Sequence, residues 1–129
     1  MKSYITDTNL ERSQVIKEIV SFASLNHDWD GFGALPLEVE SAANAISITN
    51  RLSNSALSGI SALYPNPHGT ISIDWENGSN EIISLEVGNT SFSYYVKLES
   101  SEPAFFDNNK FGELEIDDFA KRVQSNLSR

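Results

Sequence analysis

The period of the hydrophobic pattern changes near residue 70, and that change constrains the fold more than any other feature. Ile71, Ile73 and Trp75 alternate with Ser72, Asp74 and Glu76. Ile83, Leu85 and Val87 alternate with Ser84 and Glu86, and Phe92, Tyr94, Val96 and Leu98 with Ser93, Tyr95 and Lys97. Each run is the pattern of an antiparallel strand with one buried and one wetted face. Asn77-Gly78 and Gly88-Asn89 fall between the runs and predict hairpins. A meander with one apolar face must be covered, so helices are expected on that side.

Parity sets the expected register, because a slip of one residue turns every side chain to the other face. A two-residue loop at Gly88-Asn89 pairs Leu85 with Phe92 and Ile83 with Tyr94. A two-residue loop at Asn77-Gly78 would misalign the faces. A longer loop, Asn77-Gly78-Ser79, is therefore predicted, with Gly78 at positive φ or in a bulge. It sets Trp75 against Glu81 and Ile73 against Ile83. The outward positions then carry Asp74, Glu86, Ile82 and Tyr95, with Ile82 and Tyr95 as cross-strand neighbours.

The flanks supply the cover. Thr8-Asn9-Leu10-Glu11 has capping-box form, and Val15, Ile16, Ile19, Val20 and Phe22 follow at helical spacing, predicting a helix over 8–25. Pro36 suits a helix start; a second helix is predicted over 36–54, burying Val39, Ala42, Ala43, Ile46, Thr49 and Leu52. Strands are predicted at 60–64, 70–76, 81–88 and 90–99. Pro103–Phe106 reads as a short edge segment. A last helix over 115–127 buries Phe119, Ala120, Val123 and Leu127. The expected fold is a two-layer α+β domain over 1–129, with two N-terminal helices, a four-stranded antiparallel meander and a C-terminal helix. No internal repeat or linker interrupts it.

The chain has 129 residues, 18 acids against 9 bases and a net charge of −9, with no cysteine. The missing cysteines remove disulfides, thiolate metal sites and cysteine nucleophiles. Scattered bases in an acidic chain argue against nucleic acid and suit a basic protein partner. No apolar run approaches a membrane span, and the N-terminus lacks signal-peptide layout; a cytoplasmic location, monomeric or weakly dimeric, is expected. His27 and His68 are the two histidines. There is no Gly-x-Ser-x-Gly elbow, Walker loop or dinucleotide fingerprint, so no enzymatic activity and no cofactor are expected.

One segment departs from ordinary surface and core: Asn26-His27-Asp28-Trp29-Asp30-Gly31-Phe32-Gly33-Ala34-Leu35-Pro36. On one reading Trp29 and Phe32 plug the end of the core. Asp28 or Asp30 then accepts backbone N–H groups, and Gly31 and Gly33 take left-handed angles. On a second, Trp29 and Phe32 face a partner. On a third, Asn26, Asp28, Asp30 and the Phe32 carbonyl hold calcium, since they and Gly31 match the first positions of an EF-hand loop. That loop departs at its twelfth position, where Leu37 replaces the bidentate glutamate. Asp74, Ile82 and Tyr95 are the candidate partner surface on the sheet.

Trp29-Asp30-Gly31-Phe32-Gly33-Ala34-Leu35-Pro36 resembles the W-D-G-[YF]-G-A-x-P signature of a family of small, uncharacterised bacterial proteins. In that family a helix and hairpin strands follow, with a tryptophan near an Asn-Gly turn. Ile73-Asp74-Trp75-Glu76-Asn77-Gly78 is similar to that second feature. The resemblance implies a bacterial or mobile-element origin and a compact α+β fold. The family has no established activity to pass on, so no catalytic residue is implied. Together these features lead to a small acidic interaction factor, of immunity or antitoxin type, with a calcium-modulated domain as the alternative.

Overall fold

The computed structural model describes residues 4–35 and 38–127, with side chains for 11–35 and 38–126. Helix α1 spans Tyr4–Phe22, α2 Val39–Arg51 and α3 Asn54–Ser58. Five strands follow: β1 Ile60–Pro65, β2 Ile71–Glu76, β3 Ile82–Val87, β4 Phe92–Lys97 and β5 Ala104–Asn109. Helix α4, Glu113–Leu127, closes the chain. The sheet is antiparallel throughout and its strands lie in sequence order, β1-β2-β3-β4-β5. The fold is the expected α+β type, with a fifth strand where only an edge segment was expected.

The alternating residues behave as their period dictates. Ile71, Ile73, Trp75, Ile83, Leu85, Val87, Phe92, Tyr94 and Val96 are buried on one face. Val15 and Ile19 of α1, Ala42, Ala45 and Ile48 of α2, Leu57 of α3, and Ile116, Phe119 and Val123 of α4 complete that core. Phe119 stands edge-on to Trp75 at 5.8 Å and to Tyr94 at 4.8 Å between ring centres. Such pairs add to area burial because the ring edge of one meets the electron-rich face of another.

Both hairpins differ in register from expectation by two residues. Ile73 pairs with Leu85 and Trp75 with Ile83; Val87 pairs with Phe92 and Leu85 with Tyr94. Parity fixes a register only modulo two. The true loops are longer by an even number, and the faces still coincide. Trp75 therefore does not face Glu81. That carboxylate is buried in the turn, accepting from Asn77 Nδ2 at 2.9 Å and the Glu99 N–H at 3.2 Å. The left-handed residue of the turn is Asn80, at φ 64°, rather than Gly78. Asparagine tolerates that region because its short side chain bonds locally.

The helices also shift. Thr8 lies inside α1, so the capping-box residues do not begin that helix. Pro36 and Leu37, the expected helix start and the twelfth loop position, lie outside the described residues. The α2 stripe is Ser41, Ala42, Ala45, Ile48 and Thr49; Val39 is exposed and Ala43 faces solvent. The predicted end of α2 is instead the separate helix α3, whose first turn is capped by Ser53 Oγ accepting from the Ala56 N–H at 3.1 Å.

Two long-range polar contacts tie helices to neighbours. Arg12 of α1 donates to the carbonyls of Thr49 and Leu52, both at 2.8 Å. A cation there bonds the last carbonyls of the α2 C-terminus, that of Thr49 also accepting from the Leu52 N–H, and meets the negative end of the helix dipole. Asn44 Nδ2 donates to the Gly88 and Asn89 carbonyls at 3.1 and 3.2 Å, fixing α2 over the β3–β4 turn.

Candidate functional site

The outer sheet face, opposite the helices, gathers most of the polar chemistry. The strand order sets two rows across it. In one, Asp74 lies opposite Ser84, Ser84 opposite Tyr95, and Tyr95 opposite Phe105. In the other, Tyr64 lies opposite Ser72, Ser72 opposite Glu86, and Glu86 opposite Ser93.

Asp74 is held from both sides: Ser84 Oγ donates to Oδ1 at 2.6 Å and Tyr64 Oη to Oδ2 at 3.1 Å. Burial, then the hydrogen bond to Asp74 and its negative charge, raise the Tyr64 phenol above its ordinary pKa. Tyr64 therefore acts as a neutral donor here.

Glu86 anchors the second row. Its Oε2 accepts from Thr70 Oγ1 at 2.7 Å and lies 2.6 Å from His68 Nε2. Burial pushes this carboxyl upward, but the hydrogen bonds from Thr70 and His68, with the His68 charge, bring it below the ordinary range. An ionised Glu86 results. Asn66 Nδ2 donates to Thr70 Oγ1 and Ser72 Oγ, both at 2.9 Å, so the turn that carries His68 is braced to the sheet.

Between the rows lies an open hollow of about 200 Å³, lined by Ser72, Ser84, Glu86, Ser93, Tyr95, Phe105 and Asp107 among others. Tyr95 and Phe105 lie 5.7 Å apart, tilted by 43°. Phe105 is 67% exposed. Asp74, Glu76, Glu86 and Asp107 thus sit on this face together with Lys97 and the His68 ring. The arrangement can hold a cationic, partly apolar surface: carboxylates supply charge, hydroxyls supply hydrogen bonds, and the rings offer flat apolar area.

The sequence-predicted residues are only partly brought together. Asp74 and Tyr95 share a row through Ser84. Ile82 lies opposite Glu76 and Lys97 instead of Tyr95, which is the consequence of the two-residue register difference. Tyr95 finds Phe105 as its aromatic neighbour. Sequence reasoning passed over His68, Thr70, Glu86 and Phe105 as site residues. Their signal lay in strand pairing: the expected register already sets Glu86 opposite Thr70, and the true one sets it opposite Ser72, within reach of both Thr70 and His68.

Trp29 and Phe32 lie in a separate loop. Phe32 is 93% exposed and Trp29 half-buried, so neither plugs the core; Ala34 is the loop's buried residue. Hydrogen bonds hold the loop instead. Asp30 Oδ1 accepts from the Phe32 and Ala34 N–H groups at 2.9 and 3.1 Å. Asp28 Oδ1 accepts from Gly33 at 2.5 Å, and Trp29 Nε1 donates to the Leu35 carbonyl at 2.8 Å. Asp28, Gly31 and Gly33 have φ of 63°, 81° and 85°. The Leu35 N–H donates to the Pro67 carbonyl at 2.7 Å, which docks the loop beside the His68 turn.

Both aspartates of the suggested calcium loop thus give an oxygen to backbone N–H groups. Among the described residues, no three histidine, cysteine, aspartate or glutamate side chains group as a metal cluster. None of the described helices is long and apolar enough to cross a membrane. The chain matches no protein-family model, no curated protein and no solved structure.

Proposed function

We propose that the chain is a non-enzymatic interaction protein whose outer sheet face holds a basic protein partner. The observation that carries this reading is the braced ionised Glu86 beside Asp74 and Asp107, around a hollow with an exposed aromatic wall. Carboxylates held in place before binding lose little entropy on contact. Phe105 supplies the apolar anchor that interface hot spots use. The net charge of −9 extends the attraction beyond the contact patch. The loop of Trp29 and Phe32, docked beside the His68 turn, enlarges the surface. An accessory factor of immunity or antitoxin type, in a bacterial cytoplasm, fits these features and the Trp29–Pro36 resemblance. Calcium modulation is the weaker reading, because Asp28 and Asp30 are committed to their own loop.

The test is capture of basic proteins from the source organism by the purified chain and by an Asp74→Asn, Glu86→Gln, Asp107→Asn variant. A specific partner should be held by the wild type and lost by the folded variant. Raising salt from about 50 to about 300 mM should weaken capture, because the Debye length shortens over that range. Equal capture by both proteins at both salt levels would overturn the proposal.

A further inference from the structure

A second recess lies at the other side of the sheet, between the last strand and the last helix. It has a volume of about 300 Å³ and is lined by Val96, Leu98, Ala104, Phe106, Arg122 and Asn126, with Ser101 and Glu102 also on its lining. Its walls are firm. Phe106 stacks on Tyr94 at 4.7 Å between ring centres, and the Arg122 guanidinium lies 4.3 Å from the Phe106 ring centre.

Arg122 is set apart by its surroundings: it lies on the Phe106 ring, hydrogen-bonds the Tyr94 phenol, and is in neither of the ion pairs among the described residues, Arg51–Asp117 and His68–Glu86. An arginine held on a ring beside aliphatic side chains offers a planar fork of donors to a carboxylate.

The recess opens on β5, the edge strand of the sheet. Ala104, Phe105 and Asp107 are exposed along it. An edge strand presents backbone N–H and C=O groups that another chain can pair with. The usable length is short, because Pro103 precedes the strand and Asn108 turns left-handed at φ 56°. The opposite edge, β1, ends on Pro65, which has no N–H to give.

We propose that the cleft between β5 and α4 receives the C-terminus of a partner polypeptide. Its last residues lie along β5, its aliphatic final side chain fills the cleft, and its carboxylate meets Arg122. The volume is at the low end for small-molecule pockets and suits one side chain with its terminal group. Glu102 at the rim repels a bare carboxylate, and so favours a ligand that also brings N–H groups. A peptide does so and a fatty acid does not. The cleft uses Ala104 and Phe106 of β5 where the outer face uses Phe105 and Asp107, so the proposal stands whether or not that face binds a basic partner.

The probe is an uncharged hexapeptide ending Thr-Val-Val with a free carboxylate, titrated into the ¹⁵N-labelled full chain. Amide shifts are expected at Ala104 and Phe106, which line the cleft, with a shift of the Arg122 side-chain N–H. Amidation of the peptide should weaken binding by roughly ten- to a hundredfold, the loss expected for one charge-assisted pair. Arg122→Met should do the same while keeping the apolar cover of Phe106; Arg122→Gln serves if that variant does not fold. Equal binding of the amidated peptide would overturn the proposal, as would shifts confined to the outer face or no binding at millimolar peptide. Octanoate binding in place of the peptide would also overturn it, since the cleft would then be a small-carboxylate pocket.

Discussion

The indole N–H of Trp75 donates to the carbonyl of Ala56 at 2.8 Å. The ring is 1% exposed and is the largest fully buried side chain. One bond thus links the end of β2 to α3, a helix of five residues that could not persist alone. Trp75→Phe removes the donor and leaves a void beside Phe119. It should cost about 2–4 kcal/mol in denaturant unfolding, from the lost hydrogen bond and the cavity together. A loss below about 1 kcal/mol would show that α3 is held by packing alone.

The Trp29–Phe32 loop is expected to be stabilised by its own aspartates. Asp30→Ala frees two backbone N–H groups and should destabilise the metal-free protein by about 0.5–2 kcal/mol, as loss of a cap does. Millimolar calcium is expected to leave the melting temperature unchanged. A rise would show that the carboxylates turn outward to an ion.

Gly31 offers a cleaner measurement. A Cβ built there meets nothing within 4 Å, so any cost comes from its φ of 81° alone. Gly31→Val should cost about 1–3 kcal/mol, and Gly31→Asn distinctly less, because asparagine visits the left-handed region more readily. Equal costs for the two would mean that the backbone angle is not the determinant.

Glu86 gives the outer face a pH signature. Its folded pKa lies below the ordinary value of 4.5. The carboxylate therefore contributes stability above that value, and the contribution is lost as pH falls through the folded pKa. The stability difference between wild type and Glu86→Gln should be constant near neutrality and shrink below pH 4.5. A difference that is flat down to acid unfolding would remove Glu86 from the stabilising network. The Tyr64 phenol has the opposite sign: its contribution is fully present below its ordinary value of 10.0 and is lost as pH rises from there through the higher folded pKa. In a spectrophotometric titration, Tyr64→Phe should remove a late-titrating phenol.

Legibility in the chain followed burial. Ile71–Trp75, Ile83–Val87 and Phe92–Val96 were readable because each has one dry face. β5 was not, because four of its six residues are exposed and no alternation survives. Register was readable only as odd or even, so Ile82 was set beside Tyr95 when it belongs beside Lys97. Trp29 and Phe32 looked like core because apolar character carries no sign of exposure. The His68–Glu86–Thr70 group had no local mark at all: the pairing of β2 with β3 creates it.

The strands lie in the order in which they are made, so every pairing joins sequence neighbours and closes a short loop. Such a sheet can zip from any hairpin without waiting for distant chain. Its lid is another matter. Phe119 and Val123 belong to α4, which is made after the whole sheet. Until residues 113–127 emerge, Trp75, Phe92 and Tyr94 lack the side chains that seal them. The growing protein thus carries a finished sheet covered by α1–α3, with the patch that α4 seals still open. Its vulnerable interval in the cell is the brief time between synthesis of β5 and the docking of α4.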